Sequence, residues 1–118
     1  MIDIGIDSAV AFRMHGKITR DDMSFVLSEM SRSIEQHGEI TIYEQIDSFD
    51  GVEIAAIAEE FKYLVDVGFS NIAKIAILAD KKWIERIVSI ENQIFRNIDM
   101  KCFPLDNQDK AIAFLKAV

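Results

Sequence analysis

The side chains able to do chemistry in this chain are scattered rather than gathered. His15 alternates with Arg13 and Lys17, and His37 stands beside Gly38. Neither histidine has an acid or a cysteine spaced with it as a metal set, so both read as surface residues and no metal is expected. The acid pairs Asp21-Asp22 and Glu59-Glu60 are adjacent on expected helices. Neighbours on a helix diverge by about 100°, so neither pair converges for acid–base work. No serine sits on a nucleophile elbow, and no glycine-rich loop precedes a helix as a phosphate cradle. No catalytic residue and no cofactor are expected. Cys102 lies in an extended run and reads as small core filling. Asp47-Ser48-Phe49-Asp50-Gly51 has the residues of a helix cap and turn. Lys81, Lys82 and Arg86 surround Trp83 at a helix start. Lysines are electrostatically poor there, and tryptophan beside lysine suits a membrane headgroup layer, although a solvated helix start has the same residues.

The elements that must carry these residues follow from periodicity. Ile2, Ile4 and Ile6 alternate with Asp3, Gly5 and Asp7, which predicts a half-buried strand. Asp7-Ser8 turns the chain into a second strand at 9–18, making an antiparallel hairpin. Thr19 caps a helix, with Asp22 in capping-box position and Met23, Val26, Leu27, Met30 and Ile34 at helical spacing, up to Gly38. A third strand at 39–47 sets Ile40, Ile42 and Ile46 against Thr41, Tyr43 and Gln45. A helix at about 51–66 follows, then a nearly continuous apolar strand at 73–79, as expected of a sheet centre. A helix at about 81–96, a short strand at 100–105 and a last helix from Asn107 or Gln108 complete the chain. The order ββαβαβαβα implies a mixed, mostly parallel five-stranded sheet. One polar face on each early strand predicts helices mainly on one side.

The two middle helices carry more apolar surface than one sheet face requires. On the helix at 51–66, Ile54, Ile57, Ala58, Phe61, Leu64 and Val65 make one stripe. Val52, Ala56, Tyr63 and Val67 make a second. On the helix at 81–96, Trp83 and Ile90 widen a stripe that includes Ile87. Helix-to-helix packing would use the surplus. So would a cleft between the two helices, since an exposed apolar cleft seldom persists without a use. Val52, Ala56, Tyr63, Val67, Trp83, Ile87 and Ile90 are the candidate wall, and Gly51 and Gly68 the pivots about which it could open.

Composition bounds the rest. Half of the 118 residues are hydrophobic and 28% are charged, which is a globular mix suited to one domain spanning 1–118. The net charge of −7 argues against nucleic acid as a partner. A lone cysteine forbids an intrachain disulfide. The start of the chain lacks the pattern of a signal peptide, and no apolar run reaches the ~20 residues of a membrane span. A cytoplasmic protein is expected, with peripheral contact at the inner membrane through Lys81, Lys82, Trp83 and Arg86.

Ala76-Ile77-Leu78-Ala79-Asp80-Lys81-Lys82-Trp83, then Cys102-Phe103-Pro104-Leu105-Asp106 and Ala111-Ile112-Ala113-Phe114-Leu115, carry a resemblance. With them the chain resembles the bacterial SpoIIAA-like family of small stand-alone proteins, whose fold is shared by STAS and CRAL-TRIO domains. It implies a non-enzymatic protein whose second and third helices move to open a nonpolar cavity. The ligand expected on that basis is an apolar or lipid-like small molecule. STAS-type anti-sigma antagonists carry a phosphorylated serine in an aspartate–serine–serine–glycine loop. Here Ser48 is the matching candidate phosphosite, but Phe49-Asp50 intrude before Gly51. The alternatives are therefore a regulatory protein acting on a partner protein, and a plain module forming a homodimer.

Overall fold

The computed structural model describes residues 2–48, 71–80, 85, 89 and 98–117. Among them four strands, β1 (Ala9–Met14), β2 (Ile40–Ile46), β3 (Ile72–Ala79) and β4 (Asp99–Phe103), lie side by side in chain order. Every neighbouring pair is parallel. Among the described residues two continuous helices accompany them, α1 (Arg20–His37) and α2 (Gln108–Lys116). Glu85 and Ser89 are helical and exposed, inside the helix expected at 81–96. Parallel neighbours must be joined by a crossover, and α1 is the crossover between β1 and β2.

Local chemistry sets the limits of α1. Thr19 Oγ1 accepts from the Asp22 N–H at 3.2 Å, and the Asp22 carboxylate accepts from the Thr19 N–H at 3.0 Å. Two otherwise orphaned donors are thereby satisfied, as the capping-box spacing predicts. At the far end Gly38 adopts φ 80°, a left-handed conformation that glycine takes without a Cβ clash.

The sheet is covered on both faces. Val10, Phe12, Met14, Ile42, Ile46, Ile75 and Ile77 face α1, through Met23, Val26, Leu27 and Met30. Ala11, Tyr43, Ala76, Leu78 and Phe103 face α2, through Ala111 and Leu115. The premise of one solvated face on each early strand is corrected on β2; the two described helices divide between the faces, and the middle helices, apart from Glu85 and Ser89, lie outside the described residues. The physical reason is that polar does not mean solvated on β2. Tyr43 and Gln45 are buried on the α2 face, hydrogen-bonded to each other at 3.1 Å.

The antiparallel hairpin and the five-stranded count are also corrected. Residues 2–8 do turn back on β1, but they do not form a strand. The Ile2 N–H donates to the Ala11 carbonyl at 2.9 Å and the Ala9 N–H to the Ile6 carbonyl at 3.1 Å. Between them Gly5, at φ 79°, donates its N–H to Asp3 Oδ1 at 2.8 Å. That local turn takes the chain out of the extended region, so no ladder propagates. Ile2, Ile4 and Ile6 nonetheless pack on the α2 side of the core.

Lys74 fastens α2 from beneath. Its Nζ, 4.9 Å from the centre of the Phe114 ring, donates to the carbonyls of Phe114 and Ala117 at 3.0 and 2.7 Å. A cation on the last carbonyls complements the negative end of a helix. Lys74→Met should cost about 1–2 kcal/mol in urea unfolding and speed hydrogen exchange in the last turn of α2. Unchanged exchange at residues 113–117 would show that the lysine fastens nothing.

Candidate functional site

Because all four strands are parallel, their carboxyl ends meet along one edge of the sheet. Ligands of open α/β sheets bind outside such an edge. The segment after β2 reaches this edge first. Arg13 donates from Nε and Nη2 to Asp47 Oδ2 at 3.1 and 2.8 Å. Gln45 Nε2 donates to Asp47 Oδ1 at 3.0 Å, and Gln108 Nε2 donates to Gln45 Oε1 at 3.3 Å. Burial pulls the Asp47 carboxyl upward, but the hydrogen bonds from Gln45 and Arg13, with the charge of Arg13, outweigh it and hold the group below its usual range. Tyr43 moves the other way, raised chiefly by burial. This network anchors the strand end; its acid is already matched by a cation.

Ser48 continues the same segment and is exposed. Its Oγ accepts from the Gly16 N–H at 2.9 Å, while its carbonyl accepts from the same N–H at 3.1 Å. The hydroxyl therefore ties β2 to the turn after β1. Ser48→Ala should cost under about 1 kcal/mol, because the carbonyl still holds the Gly16 N–H. A larger loss in urea titration would mean that the hydroxyl carries the turn.

A cleft of about 270 Å³ opens beside β1 at this end of the sheet, between the strand and the first half of α1. Phe12, Met14 and His15 form one side, and Asp21, Phe25 and Val26 the other. Phe25 is 53% exposed, the one exposed large hydrophobic side chain among the described residues. Behind Phe12 and Val26 lies a void of about 10 Å³, room for a single water molecule. Its walls include Met23, Met30, Ile42 and Ile75, and Glu44 lines it with them.

Glu44 is a buried ionisable residue that the periodicity of β2 does not single out. It lies on the isoleucine face of β2, in register with Phe12 on β1 and Ile77 on β3. It is 6% exposed. Desolvation pushes its pKa up to about 7. In the next register position beyond Ile77 stands Cys102, half-buried on β4. Burial raises that thiol first, and the charge of Glu44 raises it further. The signal was available: among Ile40, Ile42, Glu44 and Ile46, one position of an otherwise apolar face is ionisable.

The remaining expected site residues fall elsewhere. Val52, Ala56, Tyr63, Val67, Trp83, Ile87 and Ile90, and the membrane set Lys81, Lys82, Trp83 and Arg86, lie outside the described residues. His15 and His37 are exposed. No cluster of three or more histidine, cysteine, aspartate or glutamate side chains is poised to hold a metal among the described residues. Likewise no described helix is long and apolar enough to cross a membrane.

Comparison with known proteins places these observations. The profile of the SpoIIAA-like family matches residues 9–116. The chain is similar to the crystal structure of an uncharacterised protein of the DUF3478 family, with a SpoIIAA-like fold, from Shewanella loihica PV-4. The TM-score is 0.68 at 22% identity, covering 89% of this chain and 81% of that one. That likeness shows the fold. No curated protein sequence matches the chain at a significant level.

Proposed function

The chain belongs to the SpoIIAA-like family, and from that premise we propose that it is a non-enzymatic binding protein for an apolar or amphipathic, lipid-like molecule. The observation that carries the reading is the small space beside Glu44, walled by Phe12, Met23, Val26, Met30, Ile42 and Ile75, which shares Phe12 and Val26 with the more polar cleft beside β1. Aromatic and aliphatic walls with one or two polar groups are the usual composition of small-molecule sites. The surplus apolar stripes at Val52, Ala56, Tyr63 and Val67, and at Trp83, Ile87 and Ile90, support it from the sequence. They would supply further wall between the two middle helices. Lys81, Lys82, Trp83 and Arg86 would give a weak, salt-sensitive hold on anionic lipid, since each charge near a surface contributes about 1 kcal/mol.

Native mass spectrometry of freshly purified protein tests the reading. A co-purifying apolar molecule is the expected result. Bare protein mass, together with no binding of a hydrophobic probe dye, would sink it. A bare dimer would favour the dimerising alternative.

A second reading has one observation in its favour: Ser48 is exposed beside the ion-paired Asp47. Stoichiometric phosphate on Ser48 in protein from its own cell would establish a regulatory role toward a partner protein.

A further inference from the structure

Glu44 is a buried ionisable side chain on an otherwise apolar strand face. Burying a carboxyl group is costly unless something pairs with it. Among the described residues nothing does. The walls of its void are Phe12, Met23, Val26, Met30, Ile42 and Ile75, and none carries a donor or a charge. Asp47, by contrast, is matched on the α2 side by Arg13 and Gln45. On the α1 side, Glu44 lines a space that holds one small group.

We propose that the Glu44 void is the blind end of a site for a primary amine with an apolar tail, entered through the cleft beside β1. This rests on the apolar-ligand reading above and adds the chemistry of the ligand's polar end. An ionised carboxylate only accepts hydrogen bonds, and an ammonium only donates them. An ammonium group is close to water in size, so it fits a void of about 10 Å³, while the tail occupies the cleft of about 270 Å³. Phe12 and Val26 line both spaces, so a rotamer change at this shared wall joins them. Phe12 also offers a ring to the cation.

The charges around the path favour the same sign of ligand. Asp21 and Asp22 line the cleft with Arg13 and His15. The charge of Arg13 is matched by Asp47 at 2.8 Å, which leaves an excess of acid at the mouth. Around Glu44 itself, α1 presents Met23, Val26 and Met30, β1 presents Phe12, and β3 presents Ile75. From β4 the titratable neighbour is Cys102, whose thiol is held neutral by burial and by Glu44. An anionic amphiphile would meet repulsion at the mouth and at the end. A neutral alcohol would gain one hydrogen bond and no charge pairing.

The amine cation binds the ionised carboxyl, so binding releases a proton from the fraction of Glu44 still protonated. With that group titrating at about 7, affinity should rise about tenfold from pH 6 to pH 8.

Titration calorimetry on the full chain with n-hexylamine, 1-hexanol and hexanoate tests this. Hexylamine should bind at least about tenfold more tightly than hexanol at pH 8 and lose that advantage in Glu44→Gln. Equal binding of hexanol and hexylamine would overturn the inference and leave the apolar-ligand reading standing. Tightest binding of hexanoate would show that the sign of the charge is wrong. Binding of none of the three would overturn the inference alone, because native mass spectrometry decides the other reading separately. A readout without any substitution guards against a folding defect. The carboxyl ¹³C titration midpoint of Glu44 should fall by more than about one pH unit in saturating hexylamine, and an unmoved midpoint would overturn the assignment.

Discussion

Replacing Glu44 with leucine should stabilise the protein, and the gain should grow as the pH rises. Below the ordinary glutamate range, the carboxyl is protonated in both the folded and the unfolded chain, and pH has no leverage through it. Between the ordinary value of 4.5 and the folded value of about 7, the unfolded chain releases its proton while the folded chain keeps it. The folded state then binds more protons than the unfolded state, so stability falls with rising pH. Above about 7 the charge is present in both states and the loss is complete. The shift corresponds to about 3 kcal/mol. Leucine removes this penalty and adds apolar contact with Met23, Val26 and Met30 across the void. Asp47 works in the opposite sense, since its lowered pKa costs stability as the medium becomes acid. That contribution is common to parent and variant and cancels in the comparison. Urea unfolding of both proteins from pH 4 to pH 8 should show a gap that opens between about 4.5 and 7 and then stays flat. A gap constant across the whole range would mean that Glu44 is hydrated and titrates as an ordinary surface acid. A residue whose removal stabilises the fold is the pattern left by a functional group kept against the interest of the core.

How far the sequence discloses such a residue depends on what periodicity reports. Alternation assigned Ile40, Ile42 and Ile46 to one face of β2 correctly, because period two is a geometric property of an extended chain. It could not say whether the opposite face is wet. Tyr43 and Gln45 read as a solvent face, yet their polar atoms find Gln108 and Asp47 and leave no need for water. Capping signals transferred well, since the Thr19–Asp22 box and the Gly38 stop are local. The N-terminal isoleucines were misread as a strand for the converse reason. Their alternation is real and their burial follows, but pairing depends on backbone dihedrals, and Gly5 sits at φ 79°. The cleft beside β1 was hidden because its two sides come from separate elements. Phe12 and Val26 meet only after α1 has crossed over the sheet. Ser48 was legible as a polar turn residue, but its bond to Gly16 spans 32 positions.

Ile77→Ala should cost about 2–5 kcal/mol, the range for emptying a fully buried aliphatic site. Ile77 is 0% exposed, on a central strand, and stands between Glu44 on β2 and Cys102 on β4 in register. The cavity left by its missing carbons would adjoin a carboxyl group instead of closing on hydrocarbon alone. A polar wall lets such a space hold water, whereas a purely apolar one of the same size stays dry. Water beside Glu44 would hydrate its charged form and bring its pKa back toward the ordinary range. The variant should therefore lose less stability at pH 8 than at pH 5, by about 1–2 kcal/mol. Leu78→Ala supplies the control. Leu78 is equally buried on the same strand but faces α2, with Ala11, Tyr43 and Phe103 around it. Its loss should fall in the same range and be nearly independent of pH. Urea titrations of both variants at the two pH values make the comparison directly. If Ile77→Ala and Leu78→Ala respond to pH alike, the space beside Ile77 does not communicate with Glu44. The carboxyl group would then be buried too firmly for any ligand's polar end to reach it.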